Sequence, residues 1–187
     1  AIVCPDAKTK QRIDHLKNFG FVDEVTVVAA GINGKMSEIN AAFGLLQLKG
    51  IDGARQKRKA IDAHYRQQLA GINGITCVQQ GDAEAANNAY FPILVGPGYP
   101  LSRDALFQLL RDQDIYARRY FYPLISDFPM YRGMPSAAHA NLPVARLASS
   151  QVICLPIYPD LEMATVDTII AMIAAPALQQ ELIRNIA

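Results

Sequence analysis

Apolar residues recur along this chain with two spacings, one typical of helices and one typical of strands. After Ser37, a residue type that caps helices, apolar positions follow at intervals of three and four and define one buried face. These positions are Ile39, Ala42, Phe43 and Leu46. The same spacing predicts helices at 6–18, 102–112, 143–150, 165–174 and 176–186. Short apolar runs between turn residues predict strands at 1–4, 75–78, 90–95, 115–122 and 152–157, and a strand or extended segment at 21–30.

The order of these elements predicts the fold class. Strands and helices alternate from residue 71 onward, which is typical of an α/β fold or a small α+β domain whose helices cover one sheet. The long helical region after Ser37 is interrupted at 50–53 by two glycines, as a kink or as a break. Its second part carries Ile61, Tyr65 and Leu69 at intervals of four, which predicts a buried face there as well.

Composition sets limits on size and on partners. The chain has 187 residues, of which 51% are apolar and 19% are charged, enough to bury the core of one domain or of one domain plus part of another. Its net charge of +1 gives no long-range field that would recruit nucleic acid. No run of about 18 apolar residues occurs, so we expect no membrane-spanning helix.

The cysteines and histidines form no recognisable metal or disulfide pattern. Cys4, Cys77 and Cys154 are odd in number and far apart, and we expect three buried free thiols in a protein of the cytoplasm. The N-terminal residues lack the basic leader of a secretory signal. His64 and His139 have no partner at the spacing of a catalytic triad or a metal site, so we expect no metal.

The turn before the long helix is the first candidate for binding chemistry. It reads Gly-Ile-Asn-Gly-Lys-Met at 31–36 and runs directly into the helix start at Ser37. The Asn33 side chain and the backbone amides of the flanking glycines suit a phosphate or another anion. An ordinary loop that leads into a well-capped core helix is the other interpretation of the same residues.

The predicted strand at 115–122 is the second candidate. Strict alternation places Tyr116, Arg118, Tyr120 and Tyr122 on one side of this strand and Arg119 on the other. A guanidinium forks onto phosphate oxygens, and a phenol stacks or donates a hydrogen bond, so this face suits a sugar or a diphosphate. An exposed sheet face without a ligand remains the alternative.

Three stretches together resemble one known family. The order Gly-x-Asn-x-Lys-Met-Ser-Glu-Ile-x-Ala-Ala-x-Gly at 31–44 is similar to the signature of the DegT/DnrJ/EryC1/StrS family, which consists of pyridoxal-phosphate aminotransferases that act on nucleotide-linked keto-sugars. Arg118, Pro123 and Leu124 match a later family stretch. Residues 142–146 followed by 152–159 resemble the closing helix–strand signature of the family. Tyr120 and Ile125 stand where many members of the family have histidine.

The resemblance implies a fold, a cofactor and partners. It implies the C-terminal portion of a type I aminotransferase fold and a homodimer whose active sites lie at the subunit interface. In the family the asparagine of the first signature reaches the cofactor phosphate of the neighbouring subunit, which assigns cofactor binding to Asn33. Lys35, Arg118, Tyr120 and Tyr122 are the predicted substrate-binding residues. The implied reaction moves an amino group from an amino acid, typically glutamate, to the sugar ketone.

The resemblance also implies a division of the chain and a missing part. Residues 1–35 are expected to belong to the large cofactor-binding domain, 36–70 to a connecting helical region, and 71–187 to a small C-terminal α/β domain. The cofactor lysine of the family falls before Ala1, so we expect no catalytic residue in this chain and no activity from the chain alone. Two other functions remain open: a sugar dehydratase of the same family, and a non-catalytic binding or dimerisation module.

Overall fold

The computed structural model of the chain describes residues 2–79, 81 and 86–186, with side chains up to residue 183. The chain divides into two compact units, Ala1–Ile51 and Asp52–Ala187. Its helices are α1 (Ala7–Lys17), α2 (Glu38–Leu69), α3 (Arg103–Arg111), α4 (Pro143–Gln151) and α5 (Met163–Ile186), and its strands are β1 (Ile75–Cys77), β2 (Phe91–Val95) and β3 (Val152–Leu155). Three short 3-10 turns lie at Ile125–Asp127, Pro135–Ala137 and His139–Asn141.

The first unit is organised around α1, whose predicted bounds are confirmed. Asp6 caps the helix by accepting a hydrogen bond of 2.7 Å from the Thr9 amide. At the other end Gly20 has a φ of +87° and donates to the His15 carbonyl at 2.8 Å. A Cβ at Gly20 would lie 1.8 Å from the Ala29 carbonyl oxygen, so this turn requires glycine.

Neither strand expected in the first unit forms. The described residues 2–4 belong to no strand, and the segment 21–30 contributes a single antiparallel bridge between Phe21 and Val27. The valines of this segment are exposed, with Val25 86% accessible. A half-buried strand needs a neighbouring strand and a core to cover one face, and the described part of the unit offers neither to these residues.

Helix α2 begins as predicted but is not interrupted. The Asn40 amide donates to Ser37 Oγ at 3.3 Å, which confirms the N-cap. The helix then runs through Gly50 and Gly53 to Leu69, so of the two expectations the break is wrong, and the kink stays a prediction. Each glycine lowers the stability of the helix by about 1 kcal/mol relative to alanine. In a helix of 32 residues this loss is not enough to interrupt it. Its buried residues are Ile61, Tyr65 and Leu69, as the spacing predicts. The buried face expected at Ile39, Ala42, Phe43 and Leu46 is wrong, because all four residues are exposed in the structure.

The second unit is built on a three-stranded antiparallel sheet of order β1-β2-β3. Thr76 pairs with Leu94, and Ile93 in the middle strand pairs with Ile153. Phe91, Ile93 and Val95 alternate toward the core because side chains of a strand point to opposite faces in turn. The core continues into the buried faces of α2, α3 and α5, which confirms an α/β architecture with helices covering a sheet.

The segment 115–122 is not a strand, so that prediction is wrong. It makes one bridge to β3, in which Arg118 and Cys154 exchange two backbone hydrogen bonds of 3.0 and 2.8 Å. Beyond this bridge Phe121 has a φ of +44°, in the left-handed region that β-strands do not use. The chain therefore turns away from the sheet edge after a single pair.

The two closing helices expected at 165–174 and 176–186 are one helix, α5, with Pro176 inside it. Over Met163–Ile183 this helix is long and apolar enough to cross a membrane by length and composition, so the expectation of no membrane-spanning helix stays a prediction. A core helix meets the same criterion, and Val166, Ile169, Ile170 and Ile173 are buried in the core of the second unit. The criterion alone is therefore weak grounds for a membrane span.

Candidate functional site

The Asn33 turn is held against the end of α1 by backbone hydrogen bonds. The Ile32 amide donates to the Leu16 carbonyl and the Gly34 amide to the Lys17 carbonyl, both at 2.8 Å. Asn33 forms a bridge with Asn18, and its side chain is exposed. The Gly34 amide is thus already used inside the fold, so the expectation that it binds an anion is wrong. The Asn33 side chain and Lys35 remain the candidate donors of this turn.

Lys35 lies in the same turn as Asn33. Its Nζ donates a hydrogen bond of 2.9 Å to Asn18 Oδ1 and lies 5.6 Å from the centre of the Phe19 ring. The Asn18 contact is exposed, and an exposed neutral acceptor binds an ammonium weakly. Asn33 and Lys35 are therefore brought together through Asn18, and both present polar groups to solvent.

Arg118 is placed by the bridge to Cys154, and its side chain is exposed. Cys154 itself is buried in β3, and this burial raises the pKa of its thiol to about 11, against a smaller opposing effect of the Arg118 charge. The thiol is therefore protonated near neutral pH. Of the pair, Arg118 is the group available to an anion.

Tyr120 and Tyr122 lie in different surroundings. Tyr120 is half-buried and packs edge-on against Tyr90, with ring centres 5.2 Å apart. Tyr122 is 47% exposed and lies below the guanidinium of Arg103, 4.5 Å from its ring centre. The structure therefore does not bring Arg118, Tyr120 and Tyr122 onto one strand face.

The position of Arg119 shows that side chains of 115–122 do not alternate between two faces as predicted. Its guanidinium lies 5.2 Å from the centre of the Tyr122 ring, although strict alternation places the two residues on opposite sides. Phe121 leaves the extended conformation, with a φ of +44°, so the alternation of side chains between two faces ends there. Tyr122 then joins a groove of about 530 Å³, lined by Phe121, Pro123, Leu124, Phe128 and Leu142 among others.

Three residues around Tyr122 were not predicted. Arg103 is buried, Asp104 lies beside it in the first turn of α3, and Arg119 approaches from the segment after α3. Asp104 Oδ1 lies 2.9 Å from Arg103 Nε and 3.2 Å from Arg119 Nη1. The pattern Ser-Arg-Asp at a helix start gives no sign that its arginine is buried, because charged residues in a first turn are usually exposed.

The histidines have partners that sequence spacing did not reveal. His64 Nε2 lies 2.6 Å from Asp167 Oδ1, which connects α2 to α5, and His139 Nε2 lies 3.8 Å from Asp127. Within the described residues no group of three or more histidine, cysteine or acidic side chains could hold a metal ion. The His64 pair lies 103 positions apart in sequence, too far for any local motif.

Comparison with known proteins supplies the family. The sequence profile of the DegT/DnrJ/EryC1/StrS aminotransferase family matches residues 1–174. The chain is 58% identical over 161 residues to a dTDP-4-amino-4,6-dideoxy-D-glucose transaminase of Escherichia coli, and 46% identical over 173 residues to one of Shigella dysenteriae. These matches cover 86% and 92% of the chain but 43% and 47% of the relatives. The chain thus spans less than half the length of these relatives.

Solved structures agree with this assignment. The chain superposes on S. venezuelae DesV with a TM-score of 0.81 at 26% identity, over 94% of the chain and 46% of that structure. It superposes on DesI, solved in the presence of its TDP-sugar product, with a TM-score of 0.76 at 26% identity, over 98% and 46%. The expected portion of an aminotransferase fold is confirmed. This chain belongs to the DegT/DnrJ/EryC1/StrS aminotransferase family.

Proposed function

We propose that this chain is the C-terminal part of a pyridoxal-phosphate-dependent aminotransferase that moves an amino group from glutamate to a nucleotide-linked 4-keto-6-deoxy sugar. The observation that carries the proposal is the shared name of two relatives. Both are dTDP-4-amino-4,6-dideoxy-D-glucose transaminases, and the more similar one is 58% identical over 86% of this chain. Such identity over most of the chain favours the same substrate class.

The residues of the chain fit parts of such a site. Pyridoxal phosphate, when bound, supplies the electron sink that transamination needs. Asn33 would hold its phosphate in the partner subunit of a homodimer, because an exposed amide donates to a dianion without adding charge. Lys35, in the first unit, and Arg118, in the second, are each assigned to binding a phosphate group of a substrate. Tyr120 and Tyr122 would contact the sugar.

The lysine that binds the cofactor covalently lies, in this proposal, outside the chain. Four of the lysines present engage surface partners: Lys10 and Lys17 pair with Asp14, Lys57 with Asp160, and Lys35 with Asn18. These contacts lie at the surface, whereas a lysine that attacks a carbonyl needs a desolvated or otherwise activated amine. The chain by itself is then inactive, and the complete enzyme works as a cytoplasmic homodimer.

The test uses the complete enzyme that contains this segment, beside the 187-residue chain alone. We expect the complete enzyme to bind pyridoxal phosphate, seen by its near-ultraviolet absorbance, and to convert glutamate to 2-oxoglutarate. We expect the chain alone to do neither. Cofactor binding by the chain alone would contradict the proposal that the cofactor lysine lies outside this chain. Sugar dehydration without glutamate turnover identifies the dehydratase, and no cofactor binding by the complete enzyme identifies a binding module.

A matched pair of variants tests the role of Asn33. The tetrapeptide Gly-Ile-Asn-Gly occurs at 31–34 and again at 71–74, so Asn33→Asp and Asn73→Asp make the same change in the same local sequence. A carboxylate at position 33 would repel the cofactor phosphate, and we expect weaker cofactor binding by about tenfold or more. Asn73→Asp should leave cofactor binding unchanged. Equal effects of the two variants contradict the assignment of Asn33.

A further inference from the structure

Arg103 is a buried cation whose position the helix around it does not explain. It lies in the first turn of α3, directly after the Ser102 cap, and is 5% exposed. A positive charge at a helix N-terminus opposes the helix dipole, so α3 gains nothing from an arginine there. Burying a guanidinium is costly unless its donors are satisfied, so the partners of Arg103 indicate its role.

The partners of Arg103 lie on two other segments. Its Nη1 donates to the carbonyls of Ser149 and Val152, at 3.0 and 3.4 Å, where α4 ends and β3 begins. The face of the same guanidinium covers the Tyr122 ring at 4.5 Å. Arg103 therefore connects the start of α3, the end of α4 and the segment that carries Tyr122.

A second guanidinium contacts the same phenol. Arg119 lies 5.2 Å from the centre of the Tyr122 ring and 4.6 Å from that of Phe107. Asp104 Oδ1 lies 2.9 Å from Arg103 Nε and 3.2 Å from Arg119 Nη1, and its charge offsets the repulsion of the two positive charges. The contact with Arg103 is an ion pair only, because the buried Arg103 Nε makes no hydrogen bond within the described part of the chain. Tyr122 is nevertheless 47% exposed, so its ring is restrained while part of its surface remains open to a ligand.

We propose that Arg103 and Arg119, held by Asp104, are positioning residues that fix the Tyr122 ring in its binding orientation before the nucleotide-sugar arrives. The inference rests on the proposed function, which places Tyr122 at the sugar. A side chain that is already ordered spares the ligand the entropy cost of ordering it, and cation–π contacts supply the restraint. Loss of either guanidinium should therefore weaken sugar-nucleotide binding without changing the chemical step.

The experiment measures KM, kcat and Tm of the complete enzyme with dTDP-4-amino-4,6-dideoxy-D-glucose as the amino donor in the reverse direction. We expect Arg103→Lys and Arg119→Lys each to raise KM by roughly threefold to tenfold, with kcat nearly unchanged. Arg111→Lys is the matched control, because Arg111 stacks on the exposed Tyr116 at 5.2 Å from the other end of α3. It should leave KM unchanged.

A double-mutant cycle separates positioning from a general role in stability. In a Tyr122→Leu background the ring is absent, so Arg103→Lys and Arg119→Lys should no longer raise KM. If KM rises equally in both backgrounds, or only Tm falls, the proposal is overturned. Should Arg103→Lys fail to fold, the cycle of Arg119 with Tyr122 decides alone, because Arg119 is half-exposed. A wild-type enzyme that does not turn over the sugar overturns the proposed function as well, and it does so before any variant is compared.

Discussion

The hydroxyl of Tyr99 donates a hydrogen bond of 2.7 Å to the backbone carbonyl of Ile173. Ile173 lies three residues before Pro176, inside α5. A proline removes the amide that would bond to the carbonyl four positions earlier, and its ring crowds this turn of the helix. The carbonyl that loses its amide donor is that of Met172, so the Tyr99 hydroxyl binds the next carbonyl along the chain, in the turn before Pro176. The bond therefore ties α5 to the segment that carries Tyr99, just before the proline.

Tyr99→Phe should destabilise the second unit. Burial raises the pKa of Tyr99 to about 12, so the phenol keeps its proton and remains a donor at neutral pH. Removing the Tyr99 hydroxyl leaves the buried carbonyl of Ile173 with one hydrogen-bond donor fewer. We therefore expect the free energy of unfolding, measured by urea denaturation, to fall by about 1–2 kcal/mol. Tyr131→Phe is the control, because Tyr131 is exposed. Equal stability of Tyr99→Phe and wild type would show that the bond contributes nothing.

Gly74→Ala should cost more stability than Gly71→Ala. Both glycines have a positive φ, +78° and +84°, so alanine is strained at either position by about 1–2 kcal/mol. A Cβ at Gly74 would also lie 2.0 Å from the Tyr99 amide nitrogen, whereas a Cβ at Gly71 meets nothing within 4 Å. We expect about 1–3 kcal/mol of additional loss for Gly74→Ala in urea denaturation. An equal loss in the two variants would mean that the turn moves to relieve the clash.

Alkaline pH should destabilise the folded chain partly through Cys154. Burial holds the pKa of its thiol at about 11, above the ordinary 9.0, so the unfolded chain releases this proton first. The contribution of Cys154 to stability is complete below about pH 9 and is lost as the pH rises to about 11. Urea denaturation across this range should show a steeper fall for wild type than for Cys154→Ala.

Cys77 provides the comparison for Cys154. It is only half-buried, and burial raises the pKa of its thiol in the same direction, against an opposing effect of the nearby Arg66 charge. Cys77→Ala should therefore change the alkaline slope less than Cys154→Ala does. A wild-type slope that neither substitution alters would assign the alkaline loss to other groups.

Lys35→Met should weaken substrate binding in the complete enzyme while leaving its stability nearly unchanged. The Lys35 ammonium has an exposed hydrogen bond to Asn18, so its removal should alter the free energy of unfolding by less than about 0.5 kcal/mol. A lost charge-assisted bond to a diphosphate should raise KM for the sugar nucleotide by about tenfold or more. Lys49→Met, an exposed change on α2, serves as the control. Unchanged KM in Lys35→Met removes this residue from the site.

Much of the architecture was predictable because its signals are local. Asp6, Ser37 and Ser102 mark three helix starts, and each accepts the backbone hydrogen bond that a cap requires. The strands of the second unit follow from short apolar runs between turns. In the candidate site, the residue types at 33, 35, 118, 120 and 122 were identified from the sequence, but their surroundings were not.

The failures have a common physical cause, since each depends on a partner far away in sequence. Arg118 finds one backbone partner in Cys154 and then the chain turns, so no strand forms. Pro176 stays within α5, whose residues Ile169 and Ile173 are buried in the core of the second unit. The burial of Arg103 depends on hydrogen bonds to the carbonyls of Ser149 and Val152, more than 40 positions later. The residues around Arg103 in the sequence do not indicate that these acceptors will be near it.

The repeated tetrapeptide Gly-Ile-Asn-Gly separates what the sequence determined from what the tertiary structure decided. In both copies the sequence determined a turn, because glycine and asparagine disfavour regular structure. At 71–74 both glycines take a positive φ, and the Gly74 carbonyl accepts a bond of 2.7 Å from Gly96. At 31–34 neither glycine does, and the Gly34 amide donates to Lys17 instead. Four identical residues adopt different conformations because their backbone groups must find partners, and only the folded chain supplies those.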